Sequence, residues 1–304
     1  MPPECAGLRL DQALAQLLPE YSRSRMQAWL RDERVQLDGA AAKPKHKVWG
    51  GERVRVDAPP DPGAGSDRAE AIALAVVYED DDLIVIDKPV GLVVHPGSGN
   101  RSGTLVNALL HHAPALATLP RAGLVHRLDK DTSGLLVVAR TEAARASLVR
   151  QMQARSVERR YLAVVHGRVA TGGTVDAPVG RHPVNRTRMA VIARGRPART
   201  HYRVVERFAA ATLLECKLDT GRTHQIRVHM QSIGHALIGD PAYGASARGK
   251  DGVRFPRQAL HARELALVHP ASGATMRWVS EIPDDISALL ATLRVKQASA
   301  GKRG

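Results

Sequence analysis

Apolar side chains recur at Leu10, Ala13, Leu14, Leu17 and Leu18, the spacing of one helix face, and Pro19 closes the run. Ser22 stands where a cap would open a second helix, with Met26, Trp29 and Leu30 on one side and Arg23, Arg25 and Arg31 towards water. Val35-Gln36-Leu37, an Asp38-Gly39 turn and a short strand around Val54 to Val56 follow. Two helices and a few strands make a unit near the lower size limit for independent folding.

Residues 58–70, APPDPGAGSDRAE, have no apolar period and are rich in Pro, Gly and Ala, the composition of a tether. Beyond it, Ile72 to Tyr78 and Leu83 to Ile86 flank Asp80-Asp81-Asp82 as a predicted hairpin, and Thr104 to His112 places Leu105, Ala108, Leu109 and His112 on one helix face. The run Leu135 to Ala139 reads as a buried strand, and Thr141 as the cap of a helix carrying Ala144, Leu148 and Met152. Tyr161 to Val165, Thr200 to Val205 and Thr212 to Leu218 read as further strands. Thr223 is placed to cap a helix with Ile226, Met230 and Ile233 inward, and Ala262 to Leu267 with Thr275 to Val279 makes a last hairpin. Short mixed strands with few helices predict an α+β fold: a small N-terminal α/β module at 1–57, a flexible linker at 58–71, a domain with a mixed, largely antiparallel sheet at 72–294, and a basic loose tail at 295–304.

With 304 residues and 44% apolar side chains, the chain has material for one large core and a small one. No stretch approaches the apolar length of a membrane helix and the first residues lack a signal segment, so the expectation is a cytoplasmic protein that engages no membrane. Cys5 and Cys216 have no CxxC spacing, which argues against a disulfide framework or a zinc site. His224 and His229 are five apart, a spacing that does not stack two imidazoles on one helix face, and no GxxxxGK[ST] or GxGxxG element is present. Neither metal nor cofactor is expected.

The net charge of +14 favours a polyanionic partner, nucleic acid first. Residues 1–57 hold 10 basic and 8 acidic residues and residues 73–304 hold 33 and 19, so the larger domain carries most of the field. Within it, Arg181, Arg186, Arg188, Arg194, Arg196, Arg199 and Arg203 follow one another with no acid between them, the pattern of an RNA track.

The stretch 125–141, VHRLDKDTSGLLVVART, joins closely spaced charge to a buried strand, which is how a fold holds a reactive side chain still at a solvent-facing edge. On an extended backbone Asp129 and Asp131 would share a face, so both are candidate carboxylates. Together with IDKPVGLVVHPGSG at 86–99, ERRYLAVVHG at 158–167 and TGRTHQIRVHMQSIGHALIGDPAYG at 220–244, this stretch resembles the RluA-type pseudouridine synthases. RLDQALAQLLPEYSRSRMQAWLRDERVQLDG at 9–39 resembles the S4 RNA-binding domain.

The resemblance implies a cofactor-free isomerase that detaches uracil from C1′ of a uridine, rotates it and rejoins it through C5. Asp129 would be the nucleophile or the base that starts elimination, Arg227 its ion-pair partner, and Tyr161 the ring that stacks on the uracil. Arg127 would fill the space left by the flipped nucleotide. Asp131 would brace the turn. Arg23, Arg25, Lys43, Lys45 and Lys47 would contact RNA from the S4-like domain, and Arg181, Arg186 and Arg188 from the larger one. The implied partner is large-subunit ribosomal RNA or a pre-ribosomal particle, met by a monomer. Another ribosomal site, transfer RNA, or a non-catalytic RNA-binding assembly factor are the competing readings.

Overall fold

A computed structural model describes residues 1–18, 23–57, 68–97, 100–244 and 254–301, without the side chains of 23–25 and 299–301. Its contacts divide the chain into two compact units, Met1–Gly65 and Ser66–Gly304.

In the first unit the apolar spacing forms α1 (Leu10–Leu17) and α2 (Arg23–Arg31). β1 (Val35–Leu37) pairs antiparallel with β2 (Ala40–Ala41) and with β3 (Val54–Val56). Leu37 opposes Ala40, so the loop is the two residues Asp38 and Gly39, at φ 50° and 84°. A hairpin turn of that length requires two such left-handed residues. Leu10, Ala13 and Leu14 pack on Met26, Trp29, Leu30 and Val35. Ser22, the expected cap of the second helix, lies outside the described residues.

The second unit runs β4 (Val76–Glu79), β5 (Leu83–Lys88), α3 (Leu105–His112), β6 (Ser133–Ala139), α4 (Glu142–Ala154), β7 (Glu158–His166), β8 (Gly173–Asp176), β9 (Val179–Arg181), β10 (Met189–Val191), β11 (Arg199–Arg207), β12 (Ala211–Leu218), α5 (Gln225–Ser232), β13 (Leu260–Val268), β14 (Thr275–Val279) and α6 (Asp284–Gly301). One sheet has the order β4-β5-β6-β13-β7-β12-β11-β8, with β14 on β13, while β9 and β10 form a separate hairpin. The sheet is antiparallel except where β13 enters between β6 and β7 and runs parallel to β6. At that junction Gly134 takes φ 110°, and a Cβ there would stand 2.6 Å from the Ala262 amide nitrogen. Only glycine allows the two backbones to meet so closely.

Alternation along the central strands decides which side chains see the site. Leu83, Val85, Leu135 and Val137 face α4 through Ala144 and Leu148, and Leu162, Val164 and Leu213 face α6. The intervening residues, Ile84, Ile86, Leu136, Val138, Tyr161 and Ala163, point to the opposite face with Ile226 and Met230 of α5. Tyr161 and α5 therefore share one layer.

Three expectations are corrected. The C-terminal stretch placed in a loose tail is helical as far as Gly301, because Ile286, Leu289, Leu290 and Leu293 form a stripe that packs on the sheet and starts the helix. Of the flexible linker, residues 58–67 lie outside the described residues, but Arg68 and Glu70 are tied down. The Asn107 side chain donates to the Arg68 carbonyl at 2.8 Å, and the Gly103 amide donates to the Glu70 carboxylate at 3.1 Å. The cap of α5 is His224 in the left-handed conformation, not Thr223, because Gln225 turns its side-chain oxygen back to accept from the Arg222 amide and the Thr220 hydroxyl.

Candidate active site

The turn carrying Asp129 precedes β6 and is closed by the Thr132 amide donating to the Asp129 carbonyl at 3.0 Å. Two buried cations from distant segments hold its next two carbonyls. Lys88, at the end of β5, is fully buried and donates to the carbonyls of Pro89 (2.7 Å), Leu92 (3.0 Å) and Lys130 (3.0 Å). Burial lowers its ammonium to about 8, against the pull of Asp131 and Asp129 in the other direction. Arg257 donates from Nη1 to the Asp131 carbonyl at 3.1 Å and forks from Nε and Nη2 onto Asp285 at 2.7 and 2.9 Å. Gln258 adds a bond to the Thr132 hydroxyl at 3.3 Å. A loop otherwise free to move is thereby fixed from both sides.

Arg227, on the buried face of α5, joins two carboxylates. Its Nη1 donates to Asp129 Oδ2 at 2.9 Å, while Nε and Nη2 fork onto Asp240 at 2.7 and 2.9 Å. Asp240 is 1% exposed, and its Oδ1 also accepts from the Ala242 and Tyr243 amides. Burial alone would raise the Asp240 carboxyl; the Arg227 guanidinium and those amides override it and hold it below the usual carboxylate range. Burial likewise works against the Arg227 charge, and Asp240 first, then Asp129, more than restore it. Asp240 thus fixes the guanidinium, and the guanidinium's remaining nitrogen aims Asp129, whose side chain is 16% exposed.

His224 brings Nε2 to 3.9 Å from Asp129 Oδ1. Its Nδ1 lies 2.9 Å from the Tyr243 hydroxyl, which accepts from the Met189 amide at 2.8 Å. With Nδ1 as acceptor the phenol proton has a partner, so the imidazole proton sits on Nε2, towards Asp129. Burial lowers the His224 pKa and favours this neutral form. The Arg227 guanidinium lies over the Tyr243 ring at 5.1 Å.

Asp129, Arg127, Tyr161 and Arg227 line one cavity of about 1200 Å3. Arg127 is exposed at its rim and Tyr161 is 5% exposed, with burial raising its phenol pKa. The structure therefore brings together the four side chains singled out by the resemblance. Lys43, Lys45 and Lys47 are exposed on the first unit, and Arg23 and Arg25 start α2 with side chains outside the described residues. Arg181 and Arg186 are exposed and Arg188 half-buried about the β9–β10 hairpin, away from the cavity lining. The arginine run is not a free track throughout. Arg199 pairs with Asp176 at 2.6 Å and Arg203 with Glu215 at 2.7 Å, acids supplied by neighbouring strands. Two further histidines brace the fold: His126 accepts the Val137 amide proton at 3.1 Å, and His229 bridges the Thr200 hydroxyl and the Ala177 carbonyl at 2.9 Å each.

Sequence reasoning gave no role to Asp240, His224, Tyr243, Lys88 or Arg257. Asp240 and Tyr243 sit in the quoted GDPAYG segment and Lys88 in IDKPVG, but nothing in the order of residues says that these segments reach the Asp129 turn.

A single aimed carboxylate on the floor of an arginine-lined cavity suits chemistry on a flipped base of a polyanion. The chain belongs to the RNA pseudouridylate synthase family, whose model matches residues 82–232, and an S4 domain model matches residues 8–54. It is 60% identical over 298 residues to the ribosomal large subunit pseudouridine synthase D of Nitrosomonas europaea, covering 97% of this chain and 87% of that one. The protein of that name from Pseudomonas aeruginosa is 53% identical over 303 residues, covering 97% and 94%, and that from Escherichia coli strain K12 is 51% identical over 298, covering 95% and 91%. Among solved structures, human RNA pseudouridylate synthase domain containing 1 is similar at 25% identity and a TM-score of 0.56, over 74% of this chain and 96% of that one.

Proposed function

We propose that this protein isomerises uridines of large-subunit ribosomal RNA to pseudouridine, with Asp129 as the carboxylate that starts the reaction. The observation that carries this reading is the Asp129–Arg227 pair at 2.9 Å, locked by Asp240 and lying in the same cavity as Tyr161. The C1′–N1 bond breaks, the uracil turns within the cavity, C1′–C5 forms, and the proton on C5 leaves while N1 gains one. No water is consumed. A hydrolase sets two carboxylates about a glycosidic bond so that one can activate water or attack while the other donates a proton; here the base is retained and one suffices.

Asp129 either attacks C1′ or removes the proton that begins elimination, and both routes need an ionised carboxylate aimed at the sugar. Tyr161 offers a ring face to the uracil and a hydroxyl for the C5 proton. Arg127, exposed and lining the cavity, would stack where the flipped base was. The exposed lysines of the S4 unit supply phosphate contacts that position the RNA.

Asp129→Asn keeps the size of the side chain and removes its charge. The variant should bind ribosomal RNA as the wild type does and release no tritium from C5-labelled uridine; residual turnover near the wild-type rate overturns the assignment. Mapping pseudouridine in ribosomal RNA from cells with and without the protein identifies the positions modified, and identical maps would overturn the substrate.

A further inference from the structure

Three arginines are deeply buried among the described residues: Arg159, Arg227 and Arg257. Arg227 has Asp129 and Asp240, and Arg257 has Asp285. Arg159 has neither a carboxylate nor, at its Nε, any hydrogen-bond partner among the described residues. It is 6% exposed and lines the cavity. A fold keeps an uncompensated guanidinium inside only at a cost in free energy. An anion that arrives with the ligand would relieve it.

The surroundings fit such a ligand. Arg159 stands two residues before Tyr161 on β7, so the two side chains share a face about 6.7 Å apart along the strand. A Cβ on Gly221 would come within 2.8 Å of Arg159 Nη1, so the glycine leaves the space the guanidinium occupies. Arg155, Arg196 and Arg222 line the same cavity, and the Arg222 pKa is lowered by burial and by the charges of Arg196 and Arg155. The two carboxylates in the lining are already engaged, Asp129 by Arg227 and Asp219 by His201 at 3.1 Å.

We propose that Arg159 seats a backbone phosphate of the RNA, the phosphodiester on one side of the uridine being modified, with Arg155, Arg196 and Arg222 guiding the strand to it. Uracil and ribose are neutral, so the anion within reach of a nucleotide held over Asp129 is its own phosphate. This inference rests on the reading of the cavity as a uridine site in RNA. Arg159 is a binding residue that fixes the register of the strand, and Gly221 is the neighbour that makes room for it.

The test uses the full chain and a short large-subunit ribosomal RNA stem-loop around a mapped pseudouridine position. It is made with phosphates throughout or with one uncharged methylphosphonate 5′ or 3′ of that uridine. Wild-type affinity should fall about tenfold to a hundredfold for one of the two substitutions. Arg159→Gln should lose as much on the all-phosphate RNA and nothing more on the methylphosphonate RNA, with the salt slope of binding shallower by about one unit. Gly221→Ala, which displaces Nη1, should show part of the same loss. Arg159→Gln should melt no lower than wild type, since it removes an unpaired buried charge; a structural brace would melt lower. Independent, additive losses from the two changes overturn the proposal. Absence of tritium release by the wild type would instead overturn the uridine reading, with the affinity cycle still judging the phosphate contact.

Discussion

Lys88 Nζ donates to the carbonyl of Lys130 at 3.0 Å, across 42 positions of sequence, and so ties the end of β5 to the turn that presents Asp129. The ammonium is fully buried and donates its three protons to three carbonyls. Lys88→Met should therefore leave the Pro89 and Leu92 carbonyls without this donor, while the Lys130 carbonyl keeps the Gly91 amide at 3.0 Å, and destabilise the second unit by about 2–4 kcal/mol. Urea unfolding measures the loss, and single-turnover tritium release should slow in parallel. An unchanged unfolding midpoint would show that the turn stands without this clamp.

Asp240 acts on the reaction through Arg227. In Asp240→Asn the fork weakens, Arg227 is free to shift, and Asp129 loses its aim; misplacement on that scale slows a reaction by about a hundredfold. The kcat of tritium release should fall while RNA affinity stays within about twofold, because Asp240 is 1% exposed and does not line the cavity. A change confined to affinity would refute this positioning role.

Burial, with smaller effects from nearby charges, holds His126 at about 3 and His261 at about 4. Unfolded, both would take up protons near pH 6.5. Between that value and the folded ones the unfolded chain binds more protons, so stability falls as pH falls. By pH 5 each histidine should have cost on the order of 2 kcal/mol. Urea unfolding at pH 7 and pH 5 checks this, and equal stability at the two would mean that these rings are protonated in the fold.

Lys43, Lys45 and Lys47 are exposed on the S4 unit, and charge is what they offer. Replacing all three with Gln should flatten the dependence of log affinity on log salt by about 2–3 units, and fold stability should be unaltered. An unchanged slope would remove these lysines from the interface.

Much of the architecture was legible because it rests on local periods. The helix face from Leu10, the helix over Thr104 to His112, the Thr141 cap, and the strands at Tyr161 and Thr212 all appear as read. The helix at the C-terminus was not, since its stripe acquires meaning only against Leu162, Val164 and Leu213 of the sheet. Asp129, Arg127, Tyr161 and Arg227 were reached through long motifs in a fixed order, a pattern carried by the chain itself.

What tertiary structure decided is how those residues are held and what remains unpaired. That Arg227 serves two carboxylates, that Lys88 and Arg257 grip successive carbonyls, and that Arg199 and Arg203 are neutralised by cross-strand acids follow from contacts between segments far apart in sequence. Arg159 shows the difference most plainly. In the sequence it is one of two arginines preceding a tyrosine; in the fold its neighbour Arg160 turns to Glu158, Glu215 and Glu264, and Arg159 turns to the cavity with no acid among the described residues to meet it. Strand alternation sends the two to opposite faces, and only the packed sheet determines which face holds carboxylates and which awaits a ligand.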